Sequence, residues 1–153
     1  KQRIEEEKLP SHYWEKVKKK IKTGNSFWVL KKNNEPVSFL FTNTYEANIE
    51  SVNFTIKLPY RVVAIFDVFT FKKFRGTGAY KNLVTFVTNH YAKQNYEKFW
   101  VWLMPHNKNS LIAHQKIGFT KVIMKLEMIQ KFGRRKWIID NVNLQLNQLI
   151  EAE

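Results

Sequence analysis

The chain of 153 residues has no cysteine, few glycines (5) and prolines (4), and half as many acidic residues (13) as basic ones (26). The absence of cysteine excludes disulfide frameworks, thiolate metal sites and cysteine nucleophiles, and it fits a reducing compartment. Because glycine and proline occur singly between periodic segments, no linker is recognisable, and we expect one domain over 1–153. No apolar run reaches the length of a membrane span and the first residues do not resemble a signal peptide, so we expect a soluble cytoplasmic protein without a membrane partner.

Large apolar side chains and positive charge are both abundant. The sequence contains 12 Phe, 6 Tyr and 5 Trp, and 44% of its residues are hydrophobic, which excludes a disordered chain. The formal net charge of +13 favours an anionic partner, such as a nucleic acid, a phosphorylated ligand or an acidic membrane. Charge alone does not choose among these partners.

The order of periodic segments predicts a mixed α/β fold. A nearly continuous run of strand-forming residues from Arg61 to Phe71 is typical of a central strand covered on both faces. The lysines of the first helix, Lys18, Lys19, Lys20 and Lys22, are interpreted as a solvated face. In chain order, the pattern predicts a helix over Ser11–Lys22, strands over Phe27–Leu30, Pro36–Thr42, Ile49–Ile56 and Arg61–Phe71, a helix over Tyr80–Tyr91, a strand over Phe99–Met104, a helix over Ser110–Lys116, strands over Lys121–Ile129 and Trp137–Ile139, and a helix over Leu144–Ile150.

A turn with two glycines joins the central strand to the following helix. In Arg75-Gly76-Thr77-Gly78-Ala79-Tyr80 the backbone can approach a ligand closely, and the unpaired N–H groups of a helix start favour a phosphate. Arg75 and Lys81 would add positive charge. The alternative is a tight strand-to-helix turn without a ligand, since the turn matches neither the P-loop nor the three-glycine dinucleotide fingerprint.

A second segment, from Asn107 to Phe119, follows the next buried strand, and together the two motifs resemble the GNAT superfamily of acyl-CoA-dependent N-acetyltransferases. In that family the turn after the fourth strand has the pattern Arg/Gln-x-x-Gly-x-Gly/Ala, and the segment after the fifth strand has Asn-x-x-Ala/Ser-x-x-Leu-Tyr-x-Lys-x-Gly-Phe. The matching residues are Arg75, Gly78, Asn107, Ser110, Lys116, Gly118 and Phe119. Tyr80 replaces the small residue that ends the first pattern.

The resemblance covers about Phe27 to Ile129 and implies an α/β (α+β) fold with a mixed, twisted sheet and flanking helices. The strands at Arg61–Phe71 and Phe99–Met104 would be the family's fourth and fifth strands, which run parallel and splay apart around the cofactor. The family's first strand and helix are missing here or lie upstream of Lys1. The implied activity is transfer of an acetyl group from acetyl-CoA to an amine, and no metal is expected because the four histidines lack ligand spacing.

The resemblance also implies roles for individual residues. Backbone groups at the end of the central strand would bind the pantetheine arm of acetyl-CoA, and the amides of the glycine turn would bind its pyrophosphate. Two residues of the second motif would contact the cofactor as well. The cofactor-binding residues expected on this basis are Val68, Phe69 and Thr70, then Arg75, Gly76, Thr77, Gly78, Ala79, Tyr80 and Lys81, then Asn107 and Ser110.

Two residues are candidates for proton transfer. Asp67 lies on the central strand, where burial between Phe66 and Val68 would make its carboxylate a stronger base; the alternative is a carboxylate that only orders the neighbouring strand or faces solvent. His106 and a water chain are the other candidate bases. His114 stands where the family has the tyrosine that protonates the departing thiolate, so it is the candidate acid; a packing role for His114 is the alternative.

The acceptor is not revealed by the sequence. We expect a small amine, such as an amino sugar carried on a nucleotide. The basic residues near the turn could bind the phosphates of that nucleotide. The alternatives are an acetyltransferase acting on a protein or RNA amine, which makes a nucleic acid or a ribosomal protein a less favoured partner, and a catalytically silent CoA-binding module. The oligomeric state is left open.

Overall fold

A computed structural model of the chain describes residues 11–50, 53–122, 124–131 and 134–141. Within these residues the chain forms three α-helices and eight β-strands, and the order confirms the mixed α/β class. The bounds are α1 Ser11–Lys22, β1 Ser26–Lys32, β2 Glu35–Asn43, β3 Glu46–Ile49, β4 Phe54–Lys57, β5 Val62–Thr70, α2 Ala79–Ala92, β6 Lys98–Val101, α3 Lys108–Gln115, β7 Met124–Lys131 and β8 Arg134–Asn141. The helix expected over Leu144–Ile150 lies outside the described residues.

The chain divides into two compact units, Lys1–Trp102 and Leu103–Glu153. The expectation of one domain over 1–153 stays a prediction. In the first unit, four strands form a sheet in the order β1, β2, β5, β6. Adjacent strands are antiparallel from β1 to β5, whereas β5 and β6 are parallel, which confirms the mixed sheet.

The core of the first unit is centred on β2 and β5. Phe39, Leu40 and Phe41 of β2 are almost fully buried, as are Val62–Ile65 of β5. Helix α2 contacts β1, β2 and β5 and buries an apolar stripe that includes Leu83 and Val87. This packing holds α2 against the sheet, and a short 3-10 helix over Lys72–Phe74 and then the glycine turn connect the end of β5 to the start of α2.

The prediction of one strand over Ile49–Ile56 is wrong. The segment contributes to two short antiparallel strands, β3 and β4, which pair from Glu46 with Lys57 to Ile49 with Phe54. Asn53, just before β4, has a φ of 48°, in the left-handed region that asparagine tolerates. Alternation of apolar residues is the same in one strand and in two paired strands, so it did not reveal the reversal.

A β-bulge interrupts the pairing of β5 with β2. Phe39 pairs with Phe69 and Phe41 pairs with Phe66, so two residues of β5 lie opposite Leu40 alone. On its other side β5 pairs with β6 only from Val62 to Ile65, while β5 itself continues to Thr70. The parallel strands therefore part beyond Ile65, and β6 is shorter than the predicted strand because it ends at Val101.

The second unit contains α3 and a hairpin of β7 and β8. The hairpin pairs from Met124 with Asn141 to Lys131 with Arg134. The strand predicted over Lys121–Ile129 corresponds to β7, which begins three residues later than predicted. The short strand predicted at Trp137–Ile139 is part of the longer β8.

Candidate functional site

The glycine turn opens the first turn of α2 to solvent. Gly76 and Gly78 have φ angles of 77° and 82°, a region that side chains with a Cβ rarely adopt. Gly78 is the N-cap residue, and no side chain caps the helix. A Cβ built on either glycine would meet no atom within 4 Å. The backbone of both glycines is therefore accessible to a ligand at the start of α2.

Contacts within the turn hold it in this shape. The Thr77 hydroxyl donates to the Phe74 carbonyl at 2.7 Å. Arg75 Nε donates to the Thr70 carbonyl at 3.0 Å, and its guanidinium lies 5.7 Å from the ring centroid of Phe69. Arg75 thus places a positive charge between the end of β5 and the turn.

The three residues that follow the glycines belong to α2. Ala79 is buried, Tyr80 is half-buried and Lys81 is exposed. Burial raises the pKa of the Tyr80 hydroxyl well above its ordinary value of 10.0. The family pattern has a small residue at Tyr80, but a side chain fits here because the residue lies inside a helix.

The end of β5, after Ile65, extends beyond its pairing with β6, so its edge on that side presents backbone groups that do not pair with β6. Phe71 N–H donates to the Val37 carbonyl, so the backbone of Phe71 faces β2. Alternation along the strand after the bulge then directs Phe69 toward β2 and Thr70 toward the opposite edge. The Phe69 carbonyl indeed accepts from the Ser38 hydroxyl of β2 at 2.7 Å. Of the three residues expected to bind the cofactor here, Thr70 faces this edge, Phe69 faces β2, and Val68 belongs to the bulge.

The expectation that Asp67 is buried is wrong. Its side chain is 45% exposed, and its φ of 47° belongs to the bulge that breaks the regular alternation of β5. Asp67 Oδ2 lies 2.7 Å from Nζ of Lys20, which also lies 2.8 Å from Oε1 of Glu50. Its role as a general base stays a prediction.

A cavity of about 280 Å³ lies against this bulge. It is lined by aromatic, acidic and basic side chains from α1, β2, β5 and Glu50; the full set is Tyr13, Lys16, Val17, Lys20, Phe41, Glu50, Asp67, Val68 and Phe69. The cavity therefore joins the candidate base to two residues expected to bind the cofactor.

Burial of Lys20 favours loss of its proton, but its hydrogen bonds to Asp67 and Glu50 and their charges outweigh this effect and raise the pKa of Lys20. Glu50 has a lowered pKa, chiefly because it accepts from Lys20. Burial, together with the charges of Asp67 and Glu50, raises the pKa of Tyr13. The cavity thus holds the ammonium group of Lys20 between two carboxylates, beside the phenol of Tyr13, and Lys16 lines it as well.

Three residues of the cavity have no functional role predicted from the sequence: Lys20, Glu50 and Tyr13. The sequence pattern places Lys20 on a solvated lysine face, yet only 12% of its side chain is exposed. Its spacing carried a signal, because Tyr13, Val17 and Lys20 follow the i, i+4, i+7 pattern of one helix face.

In the second unit, the residues of the Asn107–Phe119 motif build the start and core of α3. Asn107 Oδ1 accepts from Ser110 N–H at 3.1 Å and so caps the helix. His114 is 4% exposed, and its ring lies 5.7 Å from that of Phe119. His106 is exposed.

The Nδ1 proton of His114 points toward the preceding turn of α3. Nδ1 donates to the Ser110 carbonyl at 2.7 Å, and the Ser110 hydroxyl is 3.4 Å from the same nitrogen. Burial lowers the pKa of His114 from 6.5, although the hydrogen bond to Ser110 opposes the shift. At neutral pH His114 is therefore uncharged, and the acid role assigned to it stays a prediction.

Among the described residues, no group of three or more His, Asp or Glu side chains could hold a metal ion. No helix in the same part of the chain is long and apolar enough to cross a membrane.

Comparisons with known proteins give one matching family and several solved structures of similar fold. The model of the acetyltransferase (GNAT) family matches residues 2–119. Similar solved structures include a transcriptional regulator from Bacillus halodurans C-125, with 19% sequence identity, a TM-score of 0.58, and 80% of this chain and 77% of that chain covered. The aminoglycoside N-acetyltransferase AAC(6')-Iy in complex with CoA has 17% identity and a TM-score of 0.54, with 72% and 85% covered.

A ribosomal-protein-alanine N-acetyltransferase from Brucella melitensis is similar as well, with 16% identity, a TM-score of 0.53, and 86% and 76% covered. At these identities the likeness is one of fold. Among curated proteins, none matches the sequence of this chain.

Proposed function

The chain belongs to the acetyltransferase (GNAT) family, and on that premise we propose that it transfers an acetyl group from acetyl-CoA to an amine. One observation carries the proposal: the part of β5 that extends beyond its pairing with β6 is followed, after a short 3-10 helix over Lys72–Phe74, by the glycine turn and the start of α2. A strand edge and a helix start in this order suit an extended arm that ends in a pyrophosphate.

The residues of the first unit fit acetyl-CoA. Backbone groups of Val68 and the N–H of Thr70 would bind the pantetheine arm as an added strand would. The amides from Gly76 to Lys81 would hold the pyrophosphate, with Arg75 and Lys81 adding positive charge. Asn107 of the second unit, whose Oδ1 caps α3, is proposed as a cofactor contact. Ser110 is proposed as a further cofactor contact.

Acetyl-CoA supplies an acyl thioester that an amine can attack. The acceptor amine must first lose a proton, and Asp67 is the proposed base because its carboxylate lies in the cavity beside Val68. His114 is the proposed acid for the thiolate. Its lowered pKa confines the charged form to acidic pH, so an acid role predicts that kcat falls as pH rises and that His114→Tyr restores activity at high pH. Equal profiles of kcat against pH would remove His114 from the mechanism.

The proposed acceptor is a small amine. The cavity of about 280 Å³ is at the small end of ligand sites, and its paired carboxylates suit an ammonium group. A nucleotide-linked amino sugar is one such amine, since the basic residues near the turn could bind its phosphates. The structures similar to this chain include enzymes named for aminoglycosides and for a ribosomal-protein alanine, so both kinds of amine belong in the same screen.

Calorimetric titration with acetyl-CoA, followed by a thiol-release screen of amines, tests this function. We expect saturable binding and release of CoA with at least one amine class. The absence of binding would contradict the proposal, whereas binding without release for any amine would favour a silent CoA-binding module.

A further inference from the structure

The ammonium group of Lys20 lies inside the cavity at the bulge of β5. Its Nζ is 2.7 Å from Asp67 Oδ2 and 2.8 Å from Glu50 Oε1. The same nitrogen lies 5.2 Å from the ring centroid of Phe66 and 5.7 Å from that of Phe41. The ammonium group of Lys20 is therefore held inside the cavity by two carboxylates and two aromatic rings, whereas no such contacts are found for Lys16, which also lines the cavity, among the described residues.

The reactive end of acetyl-CoA would lie next to this ammonium, a step that rests on the proposed function. The pyrophosphate is assigned to Gly76–Lys81 and the pantetheine arm to Thr70 and Val68. In this direction along β5 the arm leads from the glycine turn toward the bulge at Asp67. The thioester would thus reach the residue that Lys20 contacts directly.

We propose that Lys20 is an internal acetyl acceptor of this enzyme. Asp67 takes one proton from the ammonium, and the nitrogen lone pair attacks the thioester carbonyl carbon. The C–N bond forms as the C–S bond breaks, and the second proton of the nitrogen goes to the departing thiolate. The products are Nε-acetyl-Lys20 and the thiol of CoA, with the first proton released from Asp67 to water, so no further reactant is needed.

Acetylation would change the cavity. An amide nitrogen carries no charge, so the ion pairs of Lys20 with Asp67 and Glu50 would be lost. Both carboxylates would then be available to the ammonium group of an external acceptor.

The protein is incubated with acetyl-CoA and no acceptor, and acetylation of each lysine of α1 is followed by peptide mass spectrometry. We expect Lys20 to be acetylated at least about tenfold faster than Lys18 and Lys19, because the bound thioester is held next to it. Acetic anhydride serves as the control reagent, because it acetylates each lysine without a bound cofactor and so at a rate that depends on the exposure of its side chain. With the anhydride Lys20 should be the slowest, because its side chain is 12% exposed and that of Lys18 is 68% exposed.

Two variants separate enzymatic from spontaneous labelling. Asp67→Asn removes the proposed base and Gly78→Ala blocks the turn, so each should slow the labelling of Lys20 while that of Lys19 is unchanged. The inference is overturned if acetyl-CoA labels Lys20 no faster than Lys18 and Lys19, or if both variants leave its rate unchanged. Failure of acetyl-CoA to bind in the calorimeter would instead refute the proposed function. Turnover of an external amine without acetyl-Lys20 would refute the inference alone.

Discussion

At the scale of single residues, three left-handed backbone conformations shape the candidate site. Gly76 and Gly78 bring the backbone of the turn to the surface without side chains, and Asp67 turns its carboxylate out of β5 at the bulge. The apolar run from Val62 to Phe69 predicts a buried strand, but it contains no mark of the bulge. An aspartate tolerates this φ better than its apolar neighbours would, which is the physical reason that Asp67 is exposed rather than buried.

Gly78→Ala should weaken the binding of acetyl-CoA by at least about tenfold, or about 1.4 kcal/mol. The added Cβ would point into the open space above the turn, where a pyrophosphate would have to approach the backbone. Calorimetric titration measures the change in Kd.

Gly24→Ala is the matched control. Gly24 follows α1, has a φ of 85°, and also has no atom within 4 Å of a built Cβ. Both variants carry the same backbone strain, so they should lose similar free energies of unfolding, about 1 kcal/mol each. Equal affinities of the two variants for acetyl-CoA would show that the turn does not bind the pyrophosphate.

At the scale of elements, Lys20 links α1 to β5 and to Glu50 after β3. Lys20→Met should lower the free energy of unfolding by about 1–2 kcal/mol, since it leaves two partly exposed carboxylates without their cation. Lys18→Met is the matched change in the same helix. Lys18 pairs with Glu15 at 3.0 Å, but both side chains are mostly exposed, so its loss should cost less than about 0.5 kcal/mol.

Urea unfolding of both variants checks this prediction. Similar losses for Lys20→Met and Lys18→Met would mean that the Lys20 contacts do not hold α1 in place. Salt should reduce the loss of unfolding free energy less for Lys20→Met than for Lys18→Met, because the contacts of Lys20 are partly buried and are screened less. An equal effect of salt on both variants would also contradict the prediction.

Helix α3 should lose stability in acid because of His114. Burial lowers the pKa of His114 below 6.5 in the folded chain, so the unfolded chain binds more protons between the two pKa values. The stabilising contribution is complete above about pH 6.5 and is lost as pH falls toward the folded pKa. His114→Phe should make the free energy of unfolding less dependent on pH between about 7 and 5. Identical slopes for wild type and variant in urea titrations at several pH values would contradict this.

At the scale of the whole molecule, local sequence patterns predict which helices and strands exist. The bounds of some strands depend instead on pairing between residues that are distant in sequence. The helices α1, α2 and α3 were predicted with ends close to the observed ones, because the 3.6-residue period is a local property. The glycine turn was located for the same reason. The reversal between β3 and β4 and the early end of β6 depend on which strands pair, and the sequence alone does not specify that pairing.

The candidate site divides in the same way. The turn and the helix cap at Asn107 follow from residue types at fixed offsets, so the sequence could predict them. The pairing of Lys20 with Asp67 and Glu50 joins residues that are far apart in sequence, and it arises only when α1 packs beside the bulge. A lysine on a helix face gave no indication of two carboxylate partners, one on β5 and one just after β3.

The most direct test of the central claim, that the free edge of β5 and the glycine turn together hold acetyl-CoA, is a heteronuclear NMR titration of the chain with CoA. We predict that the amide signals of Val68, Thr70 and Gly76–Lys81 shift and saturate together, while that of Gly24 does not move. Saturable shifts confined to residues outside this edge and turn, or no shifts at all, would contradict the account.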